Sequence, residues 1–317
     1  PGVKPDPSPR NRSLVLSPAD RQRLKPLLPV SLPKAGPGGD ATPRDLVVQG
    51  DCLELLRSLP PASVDLLVAD PPYNLDLVFG SERGHKMGDT DYEAYCGTWL
   101  DAALPSLKPG ASVYVFGDWR GSSALYRALG ARLAVRNRIV WEREKGRAAA
   151  RNWKSAHEEI WFATLGEDWY FCAEEVRLRR RVLAPYRDRE GRPKDWESAP
   201  EGKYRDTAAS NIWTDLTVPF WSMAENTDHP TQKPEKLLAK IILASCPAGG
   251  LVLDPFLGSG TSAVVARKLG RHYLGFELDP EYCLMALRRL ELAAEAPGIQ
   301  GYEDGVFWER NSRLPRG

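Results

Sequence analysis

The run Val64-Asp65-Leu66-Leu67-Val68-Ala69 is long enough for a buried strand, and it stops abruptly at Asp70-Pro71-Pro72-Tyr73-Asn74. Proline fixes φ and constrains the residue before it, so Asp70 and Pro71 are both predicted to be extended. Their carbonyls cannot continue a ladder and are expected to face a crevice. Tyr73 then offers a flat ring beside a carboxylate. A planar ligand with an amino group, such as a nucleobase, would satisfy both by stacking on the ring and donating to Asp70 and a backbone carbonyl. A strand that merely ends in Asp-Pro and a rigid turn is the plain alternative, and this stretch alone leaves both open.

The 317 residues suit one large α/β domain with insertions or two modest ones. Hydrophobic content of 42% and charge of 27% are ordinary for a soluble globular protein. No apolar run reaches membrane-spanning length, and the polar, proline-rich start lacks the apolar centre of a signal peptide, so a cytoplasmic location is expected. Cys52, Cys96, Cys172, Cys246 and Cys283 are scattered without metal-ligand spacing, which predicts free thiols and no metal site. A net charge of +1 argues against a uniformly basic surface while allowing local patches.

Taken in order, residues 1–44 read as an arm with one helix, Pro18 to Leu28, whose Arg21, Arg23 and Lys25 suit either a polyanion or a solvated face. Strand 46–49 leads through Asp51-Cys52 into a helix ending at Leu59, and with strand 64–69 this makes a parallel βαβ unit. Asp51 then falls at a strand-to-helix junction, where spacing alone predicts a helix N-cap. Asp51 and Asp70 both lie at the strand ends where open α/β sheets bind ligands. The glycine-bearing run Leu75 to Thr90 suggests a lid. Helices over 92–107 and 120–129 and strands over 112–116, 139–141 and 158–164 enlarge the sheet.

Arg136, Arg138, Arg143, Lys145, Arg147, Arg151 and Lys154, interrupted by Trp141 and Trp153, suit a phosphate backbone with base stacking, or a solvated face over core tryptophans. His157 reads as structural. Between 166 and 228 the periodicity weakens and Arg177, Arg179, Arg180 and Arg181 cluster among tryptophans, which suggests an inserted recognition region. His229-Pro230-Thr231-Gln232-Lys233-Pro234 opens a helix to Ser245, with Pro234 in its first turn; free amides there would suit a ligand carboxylate, and a plain capped helix is the alternative.

Leu251-Val252-Leu253-Asp254-Pro255-Phe256-Leu257-Gly258-Ser259-Gly260-Thr261 is the second strong signal, a buried strand passing through a glycine turn into a helix over 262–269. Strand 272–276 ends at Glu277-Leu278, and Glu277 follows Asp254 at about the 20-residue spacing with which an acid reaches a nucleotide ribose. The turn lacks the full G-x-G-x-x-G pattern, favouring a nucleoside-like cofactor without pyrophosphate. Periodicity fades after 296.

Asp70-Pro71-Pro72-Tyr73 together with Asp254-Pro255-Phe256-Leu257-Gly258-Ser259-Gly260-Thr261 resembles the amino-group DNA methyltransferases that use S-adenosylmethionine. The order, catalytic motif first and cofactor motif last, is similar to the β group of that family, as is the segment from His229 to Pro234. The resemblance covers roughly residues 46–292 and departs mildly at Leu257, where many relatives have Ala. It implies an α/β fold with a doubly wound, mostly parallel Rossmann-like sheet and an inserted target-recognition region: arm 1–44, catalytic half 45–165, insertion 166–228, cofactor half 229–295 and tail 296–317.

By the same resemblance, Asp70, Pro71, Pro72 and Tyr73 would hold a flipped base. Asp254, Pro255, Phe256, Gly258, Ser259, Gly260 and Thr261 would line the methionine and ribose part of the cofactor, Glu277 with Leu278 the ribose, Asp51 with Cys52 the adenine, and Thr231, Gln232 and Lys233 the carboxylate end, with Asp70 alongside. The implied substrate is double-stranded DNA, methylated at adenine N6 because Asp70 stands where cytosine N4 enzymes lean towards Ser. Cytosine N4, an RNA or protein target, and an inactive DNA-binding module are the alternatives. The family often forms homodimers and includes restriction-modification enzymes.

Overall fold

The computed structural model describes residues 10–33, 42–74, 78–79, 82–83, 86–143, 150–182, 186–199 and 202–310. Gly80 and Gly84 of the expected lid, and Lys145 and Arg147 of the basic run, lie outside these residues. Helix α1 (Pro18–Leu24) begins at Ser17, which exchanges hydrogen bonds reciprocally with Asp20. Strand β1 (Leu46–Gln49), helix α2 (Cys52–Arg57) and strand β2 (Val64–Ala69) form the expected βαβ unit. The short pair β3 (Val78–Phe79) and β4 (Glu82–Arg83) precedes α3 (Asp89–Ala103). Then come β5 (Leu107–Gly117), α4 (Ser122–Gly130), β6 (Ala134–Glu142) and β7 (His157–Thr164).

The next region holds β8 (Leu178–Arg181), β9 (Glu197–Ala199), β10 (Gly202–Thr207) and β11 (Ile212–Trp213). It leads into α5 (Glu235–Ser245), β12 (Leu251–Asp254), α6 (Thr261–Lys268), β13 (His272–Glu277) and α7 (Pro280–Glu295). Strands β14 (Tyr302–Glu303) and β15 (Val306–Trp308) close the described chain.

Eight strands form the central sheet in the order β1-β13-β12-β2-β5-β7-β6-β11. Only β7 runs antiparallel to its neighbours, β5 and β6. Alternate residues of the inner strands feed opposite faces. Leu66 and Val68 pack with Leu237, Ile241 and Val265 of α5 and α6, whereas Leu67 and Ala69 pack with Trp99, Leu100 and Leu125 of α3 and α4. Burial on both faces is why these strands read as unbroken apolar runs.

Several boundaries differ from the sequence expectation for local reasons. The helix expected to reach Leu107 stops at Ala103, and Pro105 lies in a 3₁₀ turn instead. Strand β5 starts at Leu107, opposite Val64, and its register shifts before Ser112 meets Leu66. Pro234 is the N-cap of α5 with extended backbone, one position earlier than the first-turn place expected.

The run after 296 does not trail away. Strands β14 and β15 join β8, β10 and β9 in a second sheet, β14-β15-β8-β10-β9, so this segment is built into the inserted region. Three of the clustered arginines pair there with carboxylates: Arg177 with Glu174, Arg179 with Asp206 and Arg180 with Glu309. The arm is docked as well. Leu16 and Leu24 bury against Leu284 and Met285, while Arg21 and Arg23 pair with Glu281 and Glu291 of α7, which accounts for their charge without a polyanion. All five cysteines are free thiols, and no described helix is long and apolar enough to cross a membrane.

Gly260 shows how tightly the glycine turn meets the helices. Its φ is +84°, and a Cβ there would lie 2.6 Å from the Ala286 Cβ on α7. Gly249 has a similar φ of +70° with open space around it. Gly249→Ala is expected to cost about 1–2 kcal/mol of left-handed strain, and Gly260→Ala about 1–3 kcal/mol more from overpacking. Urea unfolding of both variants measures the difference.

Candidate active site

Strands β2 and β12 are paired neighbours, yet beyond them the sheet runs to β5 on one side and β13 on the other. The winding reverses between them, and open α/β sheets leave a ligand crevice at such a point. Here the crevice is a cavity of about 400 Å³, within the roughly 300–1,000 Å³ usual for small-molecule sites. Its wall contains Asp51, Cys52, Asp70, Pro71, Pro72, Tyr73, Thr231, Gln232, Lys233, Asp254, Pro255, Phe256, Gly258, Ser259, Thr261, Glu277 and Leu278. Of the residues singled out in the sequence, Gly260 is the one off this wall, turned instead towards α7.

Placement on the wall does not mean that each group is free. Asp51 is the N-cap of α2, its Oδ1 accepting from the Leu53 and Glu54 amides at 2.8 and 3.3 Å. Burial pushes the Cys52 thiol up to about 12, so it stays neutral. Asp254 shapes the glycine turn, accepting from the Phe256 amide at 3.0 Å and from Ser262 Oγ at 2.5 Å. Burial nevertheless pushes its carboxyl up to about 7. Glu277 accepts from the Gly258 and Asp279 amides, both at 2.8 Å, so in this state it braces the turn.

The segment 229–234 differs most from expectation. The side-chain donors of Gln232 and Lys233 are engaged inside the protein. Gln232 accepts from Thr227 and donates to the Glu225 carbonyl, and the Glu225 carboxylate caps the Glu235 amide at 2.8 Å, so the first amide of α5 is already engaged. Lys233 reaches Asp70 rather than lying open towards a ligand carboxylate. Its Nζ is 2.5 Å from Asp70 Oδ2 and 3.5 Å from Glu158 Oε2, above the rings of Phe116 and Tyr73. Burial disfavours this ammonium, but the two carboxylates outweigh burial and its pKa is raised.

Asp70 is left half satisfied. Its Oδ2 holds Lys233, whereas Oδ1 is buried without a hydrogen-bond partner among the described residues. Tyr73 Oη is within interaction range of Asp70 and helps hold its carboxyl down, but the hydroxyl has one proton, and its hydrogen bond at 3.1 Å is to Glu158 Oε2. Burial raises the Asp70 carboxyl, with Lys233 opposing and Glu158 adding to the rise. An unfilled acceptor of this kind is costly unless a ligand donor completes it.

Sequence reasoning passed over several wall residues. Tyr95, Thr98 and Trp99 come from α3 and Phe116 from β5, and Ser262, Asp279 and Tyr282 also line the cavity. The i, i+3, i+7 spacing of Tyr92, Tyr95 and Trp99 was the available signal for an aromatic helix face.

The wall carries Asp51, Asp70, Asp254, Glu277 and Asp279 against one lysine, Lys233, itself paired. Such a surface repels pyrophosphate and favours a cation. A sulfonium nucleoside that also bears an amine fits this set of acceptors, and the rings of Phe256 and Tyr282 add apolar surface to the wall.

Comparison with known proteins agrees with this geometry. Residues 64–288 match the family model described as DNA methylase. The chain belongs to that family. The methylase is 31% identical over 259 residues to the DNA adenine methyltransferase YhdJ of Escherichia coli (strain K12), an alignment covering 78% of this chain and 83% of that protein. It also shares its fold with the M1.HpyAVI–SAM complex, at TM-score 0.54 and 23% identity over 77% of this chain and 98% of the other. PvuII DNA methyltransferase (cytosine-N4-specific) superposes at TM-score 0.59 and 19% identity, covering 78% and 86%.

His229 gives the site a measurable signature in this methylase. Burial, with Lys233 and Arg289 adding to it, lowers its pKa from 6.5 to about 4. Nδ1 accepts from the Thr231 amide at 3.4 Å, and a Cβ at Gly258 would sit 2.9 Å from Nε2. The unfolded chain takes up this proton near 6.5 and the folded one near 4, so the contribution of His229 to stability is intact above 6.5 and falls as the pH drops towards 4. An NMR titration of the imidazole is expected to show a midpoint near 4; a midpoint at 6.5 would contradict the burial.

Proposed function

We propose that this DNA amino-methyltransferase transfers a methyl group from S-adenosylmethionine to N6 of an adenine extruded from double-stranded DNA. The observation that carries the reading is Asp70 Oδ1, a buried acceptor without a hydrogen-bond donor among the described residues, at the carboxyl end of β2 and on the wall of an acidic cavity. The cofactor, when bound, supplies an electrophilic methyl on a sulfonium.

The protein's part is positioning and electrostatics. An exocyclic amine is a poor nucleophile because its lone pair is delocalised into the ring. Donation of its hydrogens to Asp70 Oδ1 and the Pro71 carbonyl favours a more tetrahedral nitrogen and directs the lone pair away from those acceptors. Methylation would leave the target nitrogen cationic and acidic, so that its proton could depart afterwards without a strong base. Asp70 therefore orients the amine and stabilises developing positive charge, and it need not be a strong base. The amine is out of reach inside a duplex, so the base has to be flipped, with the Tyr73 ring replacing lost stacking.

The β6–β7 connection supports a DNA substrate. It starts and returns at the same sheet edge as Asp70 and carries Arg151 and Lys154 on either side of Trp153, whose surface is 92% exposed. A cationic, aromatic segment beside the cavity suits a phosphate backbone and unstacked bases. The preference for adenine rests on Asp70 at the first motif position and on the adenine-methylating relative.

Incubation with radiolabelled cofactor and unmethylated genomic DNA, followed by nucleoside analysis, is expected to yield labelled N6-methyladenine. Labelled N4-methylcytosine would move the target to the other amino base, and no labelled nucleoside would refute the reading. Asp70→Ala is expected to bind cofactor but to lose transfer by at least about 100-fold.

A further inference from the structure

We propose that Glu158 is a positioning residue for methyl transfer, drawing the Lys233 ammonium to one side of Asp70 and fixing the Tyr73 hydroxyl, so that Asp70 Oδ1 stays open to the target amine. This rests on the functional reading above and adds to it a residue outside its motifs.

Glu158 is the second residue of β7, opposite Trp141 of β6, at the sheet edge that carries Asp70. Its side chain is only 6% exposed. Oε2 accepts from Tyr73 Oη at 3.1 Å and lies 3.5 Å from Lys233 Nζ; Oε1 is paired with the Arg143 guanidinium. Three donors therefore converge on one buried carboxylate. Stability alone does not call for this, since a buried ion pair gains little over a well-packed apolar residue of similar size.

The arrangement matters because the nearest donor to Asp70 is the protein's own. An ammonium beside a carboxylate can bridge both oxygens, and at 2.5 Å from Oδ2 the Lys233 Nζ is close enough to do so by a small rotation. It would then occupy the place of the substrate amine. Attraction to Glu158 holds it on the Oδ2 side. Meanwhile the Tyr73 proton, which could also turn to Asp70, is taken by Glu158. With both internal donors withdrawn, Oδ1 is the acceptor that remains.

The charges facing Asp70 are Lys233 from the α5 approach, Glu158 from β7 and, at longer range, Asp254 from β12; Tyr73 faces it as a neutral hydroxyl, and Arg143 from the end of β6 acts on Lys233. The negative charge of Glu158 raises the Asp70 carboxyl, so its removal should let Asp70 ionise at lower pH.

The test is single-turnover methylation of genomic DNA by the full chain and by Glu158→Gln, with cofactor affinity measured by equilibrium dialysis. Expected for the variant are a rate plateau lower by about 10- to 100-fold, an acid limb of the pH–rate profile displaced to lower pH, and unchanged cofactor affinity. Tyr73→Phe, which removes only the hydroxyl, is expected to lose rate in the same direction while binding cofactor normally, and it keeps the test open if Glu158→Gln does not fold. A Glu158→Gln plateau equal to wild type, or a lowered plateau with an unmoved acid limb, overturns the positioning role. So does Tyr73→Phe at the full rate. An inactive wild-type protein would instead overturn the functional reading, and the positioning role with it.

Discussion

A single buried ammonium, Lys233 Nζ, ties together three segments that are remote in sequence. It meets Asp70 at the end of β2 and Glu158 at the start of β7, and it arrives from the approach to α5. Each carboxylate would be expensive in this interior without a counter-charge. With the ammonium and the Arg143 guanidinium present, Glu158 is fully matched and Asp70 is matched on one oxygen. That imbalance gives the site a polarity: one face of Asp70 is sealed by the protein and the other awaits a donor.

The same economy of buried charge supports the rest of the site. Helix α5 is buried along its length, yet it carries two lysines, and both are answered by Asp215 from the inserted region. Lys236 also donates to the Trp308 carbonyl at 2.5 Å, which fastens the last described strand to the same helix. On the other side, Arg289 of α7 donates to the Ser259 carbonyl and to Thr261 Oγ1, both at 2.9 Å, and pairs with Glu235. The glycine turn is thus held from behind, leaving its cavity side to a ligand. Such interior pairs contribute little net stability compared with apolar packing, but each fixes one geometry among many.

The main strands of the central sheet were legible because burial on both faces writes a clear pattern, whereas the sheet order and the reversed direction of β7 were not. Leu66 to Ala69 and Leu251 to Leu253 are continuous apolar runs, and each ends in an Asp-Pro pair that could only sit at a sheet edge. The N-cap role of Asp51 followed from spacing for the same local reason. Direction and partnership of side chains did not follow. Nothing in His229 to Pro234 says that Lys233 turns inward to Asp70, since that depends on how α5 packs on the sheet. Glu158 was invisible as a site residue because its partners lie 85 positions away at Tyr73 and on the neighbouring strand end. The fate of the segment after 296 was equally non-local: β15 pairs with β8 across more than a hundred residues, and two short strands leave little periodicity to read.

The central claim is that the open oxygen of Asp70 receives the amine of an extruded base. A crystal structure of the full chain with a methylatable duplex and a non-reactive sulfonium analogue tests it most directly. The account predicts the target nitrogen at hydrogen-bond distance, about 3 Å, from Asp70 Oδ1 and from the Pro71 carbonyl, with Lys233 still on Oδ2 and the base against Tyr73. A base extruded into the cavity whose amine is held elsewhere, with Lys233 bridging both oxygens of Asp70, would contradict it.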